Sequence, residues 1–404
     1  MSRLNELIQR LCPNGVEFKK LSMLCDLSRG KVYSKTYISE NPGIYPVYSS
    51  QTENDGELGR ISTYDYDGEY LTWTTDGAYA GTIFHRKGKF SITNVCGLIS
   101  IKSSNILIRF LYYWLSVKAK DYVYKGMGNP KLMSNQIAPI KIPIPPLDVQ
   151  NEIVRILDTF TSHAAELQAE LQAELQARKE QYEYYRNKLL TFDKDDKNVK
   201  WMKLGEVGSF IRGNGLQKKD FTESGVGCIH YGQIYTYYGT SANKTKSFVA
   251  HELANKLVKV KKGNLIIACT SENIEDVCKA VVWLGEDDIV TGGHSCVFVH
   301  NENPKYISYF FQTDFFSQQK RKYARGTKVI DIKTSDLEKI IIPILSHKEQ
   351  QRIVSILDKF EALVNDLTEG LPAEIAAVQE QYEYYRNKLL TFKDVGTYHG
   401  ASST

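Results

Sequence analysis

From Pro146 to Phe192 the chain offers nothing that would interrupt a helix. Apolar residues recur at helical spacing through Ile153, Ile156, Leu157, Phe160, Ala164, Leu167, Leu171 and Leu175, then Tyr182, Tyr185 and Leu189. A single helix of about 45 residues, roughly 65–70 Å long at 1.5 Å per residue, is predicted. Its centre writes AELQ three times, at Ala165–Gln168, Ala169–Gln172 and Ala173–Gln176, all strong helix formers. Four residues turn a helix by about 400°, so Leu167, Leu171 and Leu175 drift by about 40° per step and form one slowly winding stripe. A surface seam explains the leucine spacing. An integer repeat also behaves as a ruler, because one unit adds about 6 Å and nearly keeps the buried face.

The same helical text returns later. EQYEYYRNKLLTF stands at Glu180–Phe192 and, unchanged, at Glu380–Phe392, an offset of 200. That offset also pairs Ile153–Phe160 with Ile353–Phe360 and Ile142-Pro143-Ile144 with Ile342-Pro343-Ile344. Near the start of each half, Val16–Gly30 matches Val199–Gly213 at an offset of 183, so 17 residues have been added to the middle of the second copy. The chain reads as two copies of a globular part plus a long helix, alike at their edges and divergent inside.

Within the globular halves, strand-like runs at Gly43–Tyr48, Glu69–Thr74, Ile99–Lys102, Asn264–Cys269, Ala280–Leu284 and Cys296–His300 mix with helices predicted at Leu4–Leu11, Ile106–Lys118 and Pro304–Lys322. The fold class is α+β. The second helical region, from Lys348 to Phe392, is interrupted at Gly370-Leu371-Pro372. Neither long helix can bury its stripe alone, so they are expected to pair. One must carry the chain from the first globular half to the second and the other must return, which makes them antiparallel. This predicts two globular domains separated by a coiled coil, a pseudo-two-fold internal repeat, and a return of Phe392 towards Leu4–Leu11. The expected divisions are 1–146, 147–192, 193–346, 347–392 and a tail at 393–404.

Composition narrows the function. The chain has 404 residues, 42% hydrophobic and 24% charged, with no run of 18 apolar residues and no signal-peptide core at its start. Seven scattered cysteines without a C-x-x-C pair suggest reduced, buried thiols and a cytoplasmic protein. No phosphate-cradling loop, dinucleotide fingerprint, H-E-x-x-H or metal-spaced Cys/His set occurs. Asp314 with Asp331 and Lys333 is a faint nuclease-like group, but the first half has Met133 opposite Lys333. A stand-alone DNA-binding nuclease and a coiled-coil scaffold are two readings these features leave open.

Net charge is only +4, yet Gln318–Lys328 holds five cations and no acid. Arg, Lys, Asn and Gln read base edges, and cations position the phosphate backbone. DNA-binding candidates in the first half are Lys31, Tyr33, Lys35, Trp73, Thr75, Arg86, Lys87, Lys89, Lys125, Asn129 and Lys131. In the second half they are Arg212, Asn214, Lys218, Lys219, Tyr231, Gln233, Lys244, Lys246, Asn273, Lys320, Arg321, Lys322, Arg325 and Lys328. Each alone reads more readily as a solvated surface residue, and Lys320–Lys328 is balanced between the two readings. Glycines at Gly126–Asn129 and Gly292–Gly293 suit close backbone approach or simple turns.

CPNGVEFKKL at Cys12–Leu21, IPIPPLDVQNEIVRILDTF at Ile142–Phe160, KEQQRIVSILDKF at Lys348–Phe360, EGLPAEI at Glu369–Ile375 and both QYEYYRNKLL copies resemble the specificity (S) subunit of type I restriction-modification systems. The AELQ array resembles that family's spacer repeats. The resemblance implies that each half is a target recognition domain reading one part of a split, asymmetric sequence in double-stranded DNA. It implies helices that hold the domains apart and dock two modification subunits, with restriction subunits joining them. S-adenosylmethionine, ATP and Mg would be bound by those partners, adenine N6 would be methylated there, and this chain would not be an enzyme by itself. Tyr182, Tyr185 and Leu189, with Tyr382, Tyr385 and Leu389, lie at i, i+3 and i+7 and serve either packing between the helices or partner docking.

Overall fold

The computed structural model describes residues 3–126, 128–365 and 370–395. Two compact units emerge, and neither is continuous in sequence: Met1–Leu167 joins Val378–Thr404, and Gln168–Ala377 forms the other. The central helix, Leu147–Leu189, belongs to both units along its length. At 43 residues it extends about 65 Å. Its AELQ leucines are not equally covered: Leu167 is 43% exposed, Leu171 half-buried and Leu175 buried, as a stripe drifting by about 40° per repeat requires. The later helical region is two helices, His347–Asn365 and Leu371–Leu389, with Pro372 in the first turn of the second. Residues 366–369, just before Gly370, lie outside the described residues.

In the first unit, Cys25–Arg29, Cys96–Ile101, Tyr66–Thr74, Ile83–Ile92, Pro42–Tyr48 and Glu57–Ile61 form one six-stranded sheet in that order. Its neighbours are antiparallel except Pro42–Tyr48 against Ile83–Ile92. Helix Ile108–Lys118 packs on it and buries Phe110, Leu111, Tyr113, Trp114 and Leu115. The chain's end closes this core. The Val16 amide donates to the Lys393 carbonyl, and Phe392 lies against Phe110 and Trp114. Leu4 of the first helix is buried in the same cluster.

The second unit repeats this scaffold but divides its sheet. Gly208–Arg212, Ser295–His300, Leu265–Ala268, Ala280–Trp283 and Ser241–Ala242 form one sheet; Phe221–Thr222, Ser247–Val249, Val226–Ile229, Ile289–Thr291 and Val258–Val260 form another. The counterpart of the long Ile83–Ile92 strand is broken into Ala280–Trp283 and Ile289–Thr291, each serving a different sheet. That break falls in the part of the chain that carries the 17 added residues. The predicted helix Pro304–Lys322 is likewise two helices, Pro304–Phe310 and Asp314–Lys320. Thr313 ends the first by capping the second, its hydroxyl accepting from the Phe316 amide.

The edges of the repeat coincide in register. Phe18–Lys20 pairs antiparallel with Lys141–Pro143, Phe18 opposite Pro143; Lys200–Lys203 pairs with Ile341–Ile344, Trp201 opposite Pro343. The two sequence offsets, 183 and 200, reappear as one shared pairing. Each ribbon leads into a buried glutamine that ties the helix start to the sheet domain. The Gln150 amide donates to the Pro145 and Asn105 carbonyls and accepts from the Leu107 amide, all at 2.8 Å. Gln350 donates to the Leu345 carbonyl and the Glu302 carboxylate and accepts from the Asn303 amide. Two helical turns on, Tyr113 and Arg109 hold Asp158, and Tyr309 and Lys305 hold Asp358, both tyrosines at 2.6 Å.

Within each unit, the two helical segments cross antiparallel. In the first, Phe160 packs on Tyr385 and Thr161 meets the Tyr382 hydroxyl at 3.0 Å, so rising numbers on one helix face falling numbers on the other. In the second, Phe360 stacks on Tyr185 at 5.4 Å, the same pair with both numbers exchanged by 200. The internal repeat thus recurs at the level of single side chains within each unit.

Candidate nucleic-acid interface

In both units one end of the sheet gathers equivalent loops. In the first, Arg29 closes its strand and reaches across to the Asn94 carbonyl and the Thr75 hydroxyl. Asp76 follows, with Lys131 at 3.9 Å and Arg29 at 4.0 Å, and the 76 and 131 backbones bridge. Lys31 bridges to Thr93, and its ammonium sits 2.6 Å from Asp65, which also accepts from the Tyr33 hydroxyl at 2.6 Å. The Asp65 hydrogen bond raises the Lys31 pKa. Partial burial works to raise the Asp65 pKa, but the bonds from Lys31 and Tyr33 outweigh it and hold the carboxyl below its ordinary range.

In the second unit Arg212 stands where Arg29 stands and pairs with Asp331 at 3.5 Å. Asp331 occupies the position of Lys131, and Thr270, whose strand pairs with it, occupies that of Asp76. The cation is retained while its carboxylate has moved to the opposite strand. The His294 ring meets the Thr270 hydroxyl, and Tyr231 lies between His230 at 4.5 Å and His294 at 4.8 Å. The basic segment reaches this place through Arg325, whose backbone pairs with that of Asp331 in both directions.

Lys31 and Tyr33 thus meet on Asp65, Lys131 meets Asp76, and Lys125 and Asn129 lie in the loop whose Tyr124 and Lys131 backbones bridge, while Lys35 opens the helix Lys35–Glu40. Met127, inside their glycine-rich loop, lies outside the described residues. In the second unit Arg212 and Arg325 meet at Asp331, Lys218 and Tyr231 line one cavity with Asn214 beside its Gly293, and Lys219 and Lys328 are exposed. Arg29, His230 and His294 belong with them and carry no sequence signal beyond a capping-box spacing at His230–Gln233. Lys87 and Lys89 are exposed elsewhere along the Ile83–Ile92 strand. Lys244 and Lys246 are exposed on a loop where Lys246 covers the Tyr237 ring; Asn273 binds Asp276 in a turn; Arg321 pairs with Glu275 and Lys322 is exposed.

Several candidates cannot reach a base from where they stand. Trp73 is fully buried and its indole N–H donates to the Leu132 carbonyl; Thr75 is a buried joint between Arg29, Asp76 and Val95. Arg86 is buried against Tyr48 and held by Asp55. Gln233 is spent on the His230 amide and Ser247. The Lys320 ammonium is buried and donates to the Glu275 and Val277 carbonyls, and that burial lowers its pKa. These are corrections to the surface reading. On the helices, Tyr182 is buried, Tyr185 stacks on Phe360, Tyr385 meets Phe160 edge to face, Tyr382 meets Thr161, and Leu189 and Leu389 border the cores. The tyrosines both copies leave bare are Tyr184, 58% exposed, and Tyr384, 60%, each with its lysine over the ring.

The nuclease-like group does not assemble a metal site. Asp331 is engaged by Arg212, the Asp314 backbone amide donates to Asn187 Oδ1, and among the described residues no cluster of three His, Cys, Asp or Glu side chains is placed to hold a metal. All seven cysteines are buried and free. No described helix is long and apolar enough to cross a membrane.

The family model for the type I restriction modification DNA specificity domain matches twice, over residues 13–177 and 196–377. A Mycoplasma pneumoniae protein named as a type I specificity subunit is 31% identical over 373 residues, 92% of this chain and 96% of its own. The type I restriction enzyme MpnII specificity subunit of the same organism is 39% identical over 194 residues, 48% of this chain and 58% of its own. A chain from a solved type I R-M system aligns over 94% of this chain and 98% of its own with a TM-score of 0.67 at 14% identity. The HsdS subunit from Thermoanaerobacter tengcongensis aligns over 94% and 96% with 0.51, also at 14%. At that identity the two structures speak for the fold alone. The chain belongs to the type I restriction-modification specificity family, and it carries the DNA specificity domain of that family twice.

Proposed function

We propose that each unit reads one part of a bipartite, asymmetric DNA target, and that this chain is the sequence-recognition subunit of a type I restriction-modification complex. The observation that carries this is the pair of equivalent loop ends, alike in scaffold and in Arg29 and Arg212, unlike in the side chains around them. Two readers with one architecture and two chemistries suit two unlike half-sites. Adenine N6 methylation and restriction fall to partner subunits, which bind S-adenosylmethionine, ATP and Mg; base flipping occurs there. The complex works in the cytoplasm, and a solved type I R-M structure described as showing complex assembly supports partner binding of this kind.

Two modification subunits would dock on two equal surfaces. The identical Tyr184/Lys188 and Tyr384/Lys388 pairs, bare in both copies, suit that role better than the packed tyrosines. The AELQ repeats set the distance between half-sites: one unit adds about 6 Å, near the rise of two base pairs. Deleting Ala169–Gln172 should shorten the tolerated gap by about one or two base pairs and leave both half-sites unchanged. Unchanged spacing, or altered bases within a half-site, would sink the ruler.

A further inference from the structure

In the second unit a cavity of about 440 Å³ opens at the loop end, lined by Gly215–Lys218, His230, Tyr231, Gly293 and His294. No carboxylate lines it. We infer that this cavity is a base-reading pocket that selects guanine within the half-site read by the second unit. The inference rests on the DNA-reading function proposed above and names one position of it.

The chemistry follows from which nitrogens are already used. His230 is buried, 6% exposed, and its Nδ1 accepts from the Gly232 amide at 3.2 Å. A neutral ring that accepts at Nδ1 carries its proton at Nε2, so His230 offers the pocket a donor only. Burial, then the charge of Lys218, lowers its pKa, so the ring is neutral at pH 7. His294 Nδ1 lies 3.1 Å from the Thr270 hydroxyl; with that hydroxyl donating, its proton also stands at Nε2. Guanine presents two acceptors, N7 and O6, to the major groove, whereas adenine presents one acceptor and one donor. Two imidazole donors flanking an aromatic ring match the first pattern and oppose the second.

The comparison of the two units separates base reading from phosphate holding. Phosphate contacts carry no sequence information, so both units would need the same ones. Lys218 has its equivalent in Lys35, at the offset of 183, and fits that shared task. Where the second unit has His230 and Tyr231 after Val226–Ile229, the first has Ser49 and Ser50 after Pro42–Tyr48. Ser49 bonds Thr93 and Ser50 bonds the Val95 carbonyl, so the aromatic donor pocket exists in one unit only.

The test compares methylation motifs in cells producing the modification subunit with the wild-type chain, His230→Asn, His294→Ala or Lys218→Ala. Asparagine can still cap the turn, and His294 is exposed, so loss of folding does not confound both variants. Each histidine variant is expected to lower the preference for G at one position of one half-site about tenfold, the other half-site being unchanged. Lys218→Ala is expected to weaken modification uniformly across sequences. A wild-type motif that both histidine variants leave intact, or weaken evenly at all positions, overturns the pocket while leaving the proposed function standing. No chain-dependent motif with the wild-type chain overturns the function itself.

Discussion

Replacing Gln150 or Gln350 by leucine, which nearly keeps the side-chain volume, tests how the helices are fixed to the sheet domains. In Gln150→Leu the Pro145 carbonyl and Leu107 amide lose their partner inside the protein, while the Asn105 carbonyl, on an exposed residue, turns to water. A buried backbone group left without a partner costs about 1–3 kcal/mol, two are left, and the new apolar contact returns about 1 kcal/mol, so a net loss of about 1–5 kcal/mol is expected. Gln350→Leu should cost about 1 kcal/mol more, because Gln350 also donates to the Glu302 carboxylate at 2.6 Å and charge-assisted bonds are stronger. Two compact units do not share one unfolding free energy. Hydrogen exchange read separately in each unit, over a urea series, is the suitable assay, with the Leu107 and Asn303 amides as local reporters. Gln150→Leu should loosen the unit containing Ile108–Lys118, and Gln350→Leu the unit containing Pro304–Phe310. Losses under 1 kcal/mol, or a larger loss for Gln150→Leu, would refute the clamp.

Other expectations follow from the same geometry. Lys320→Met should leave the salt dependence of DNA binding unchanged, because its ammonium is spent on two carbonyls; Lys328→Ala should flatten the slope of log K against log salt by about 0.9 if that lysine meets a phosphate. Tyr184→Ala with Tyr384→Ala should abolish co-purification of modification subunits while stability moves by no more than about 0.5 kcal/mol; a folded double variant that still binds two partners would contradict the docking surface. Burial lowers the His300 pKa to about 4 against the opposing charge of Glu302. Unfolded histidine titrates near 6.5, so below that pH the unfolded chain binds more protons and this contribution to stability is lost between about pH 6.5 and 4. The loss amounts to about 2–3 kcal/mol once partial exposure is allowed for, and His300→Phe should show a shallower acid limb in denaturation against pH.

The parts of the fold that were legible in the sequence are those written in local period. The central helix declares itself by spacing alone, and the equal pairing of Phe18 with Pro143 and Trp201 with Pro343 follows from two offsets that sequence identity makes visible. The broken strand at Ala280–Trp283 and Ile289–Thr291 was not legible, because a run of apolar residues does not say which sheet it joins. Trp73 was misplaced for a related reason: Leu71–Thr75 is buried on both faces, so no alternation marks an outward side. Lys320 sits in the most basic segment of the chain, and only the carbonyls of residues 275 and 277, more than forty positions away, show that it points inward. Arg29 carries no mark in the sequence because Thr75 and Asn94, which fix it, are 46 and 65 residues distant. Charge was legible in sequence; which charge faces a partner depends on contacts between distant segments.

The measurement that bears most directly on the whole account is methylation mapping in cells that produce this chain with its modification subunit, against cells lacking the chain. The account predicts a split, asymmetric motif with N6-methyladenine in both halves, appearing only when the chain is present. With expression and assembly verified, the absence of any chain-dependent methylation would contradict it.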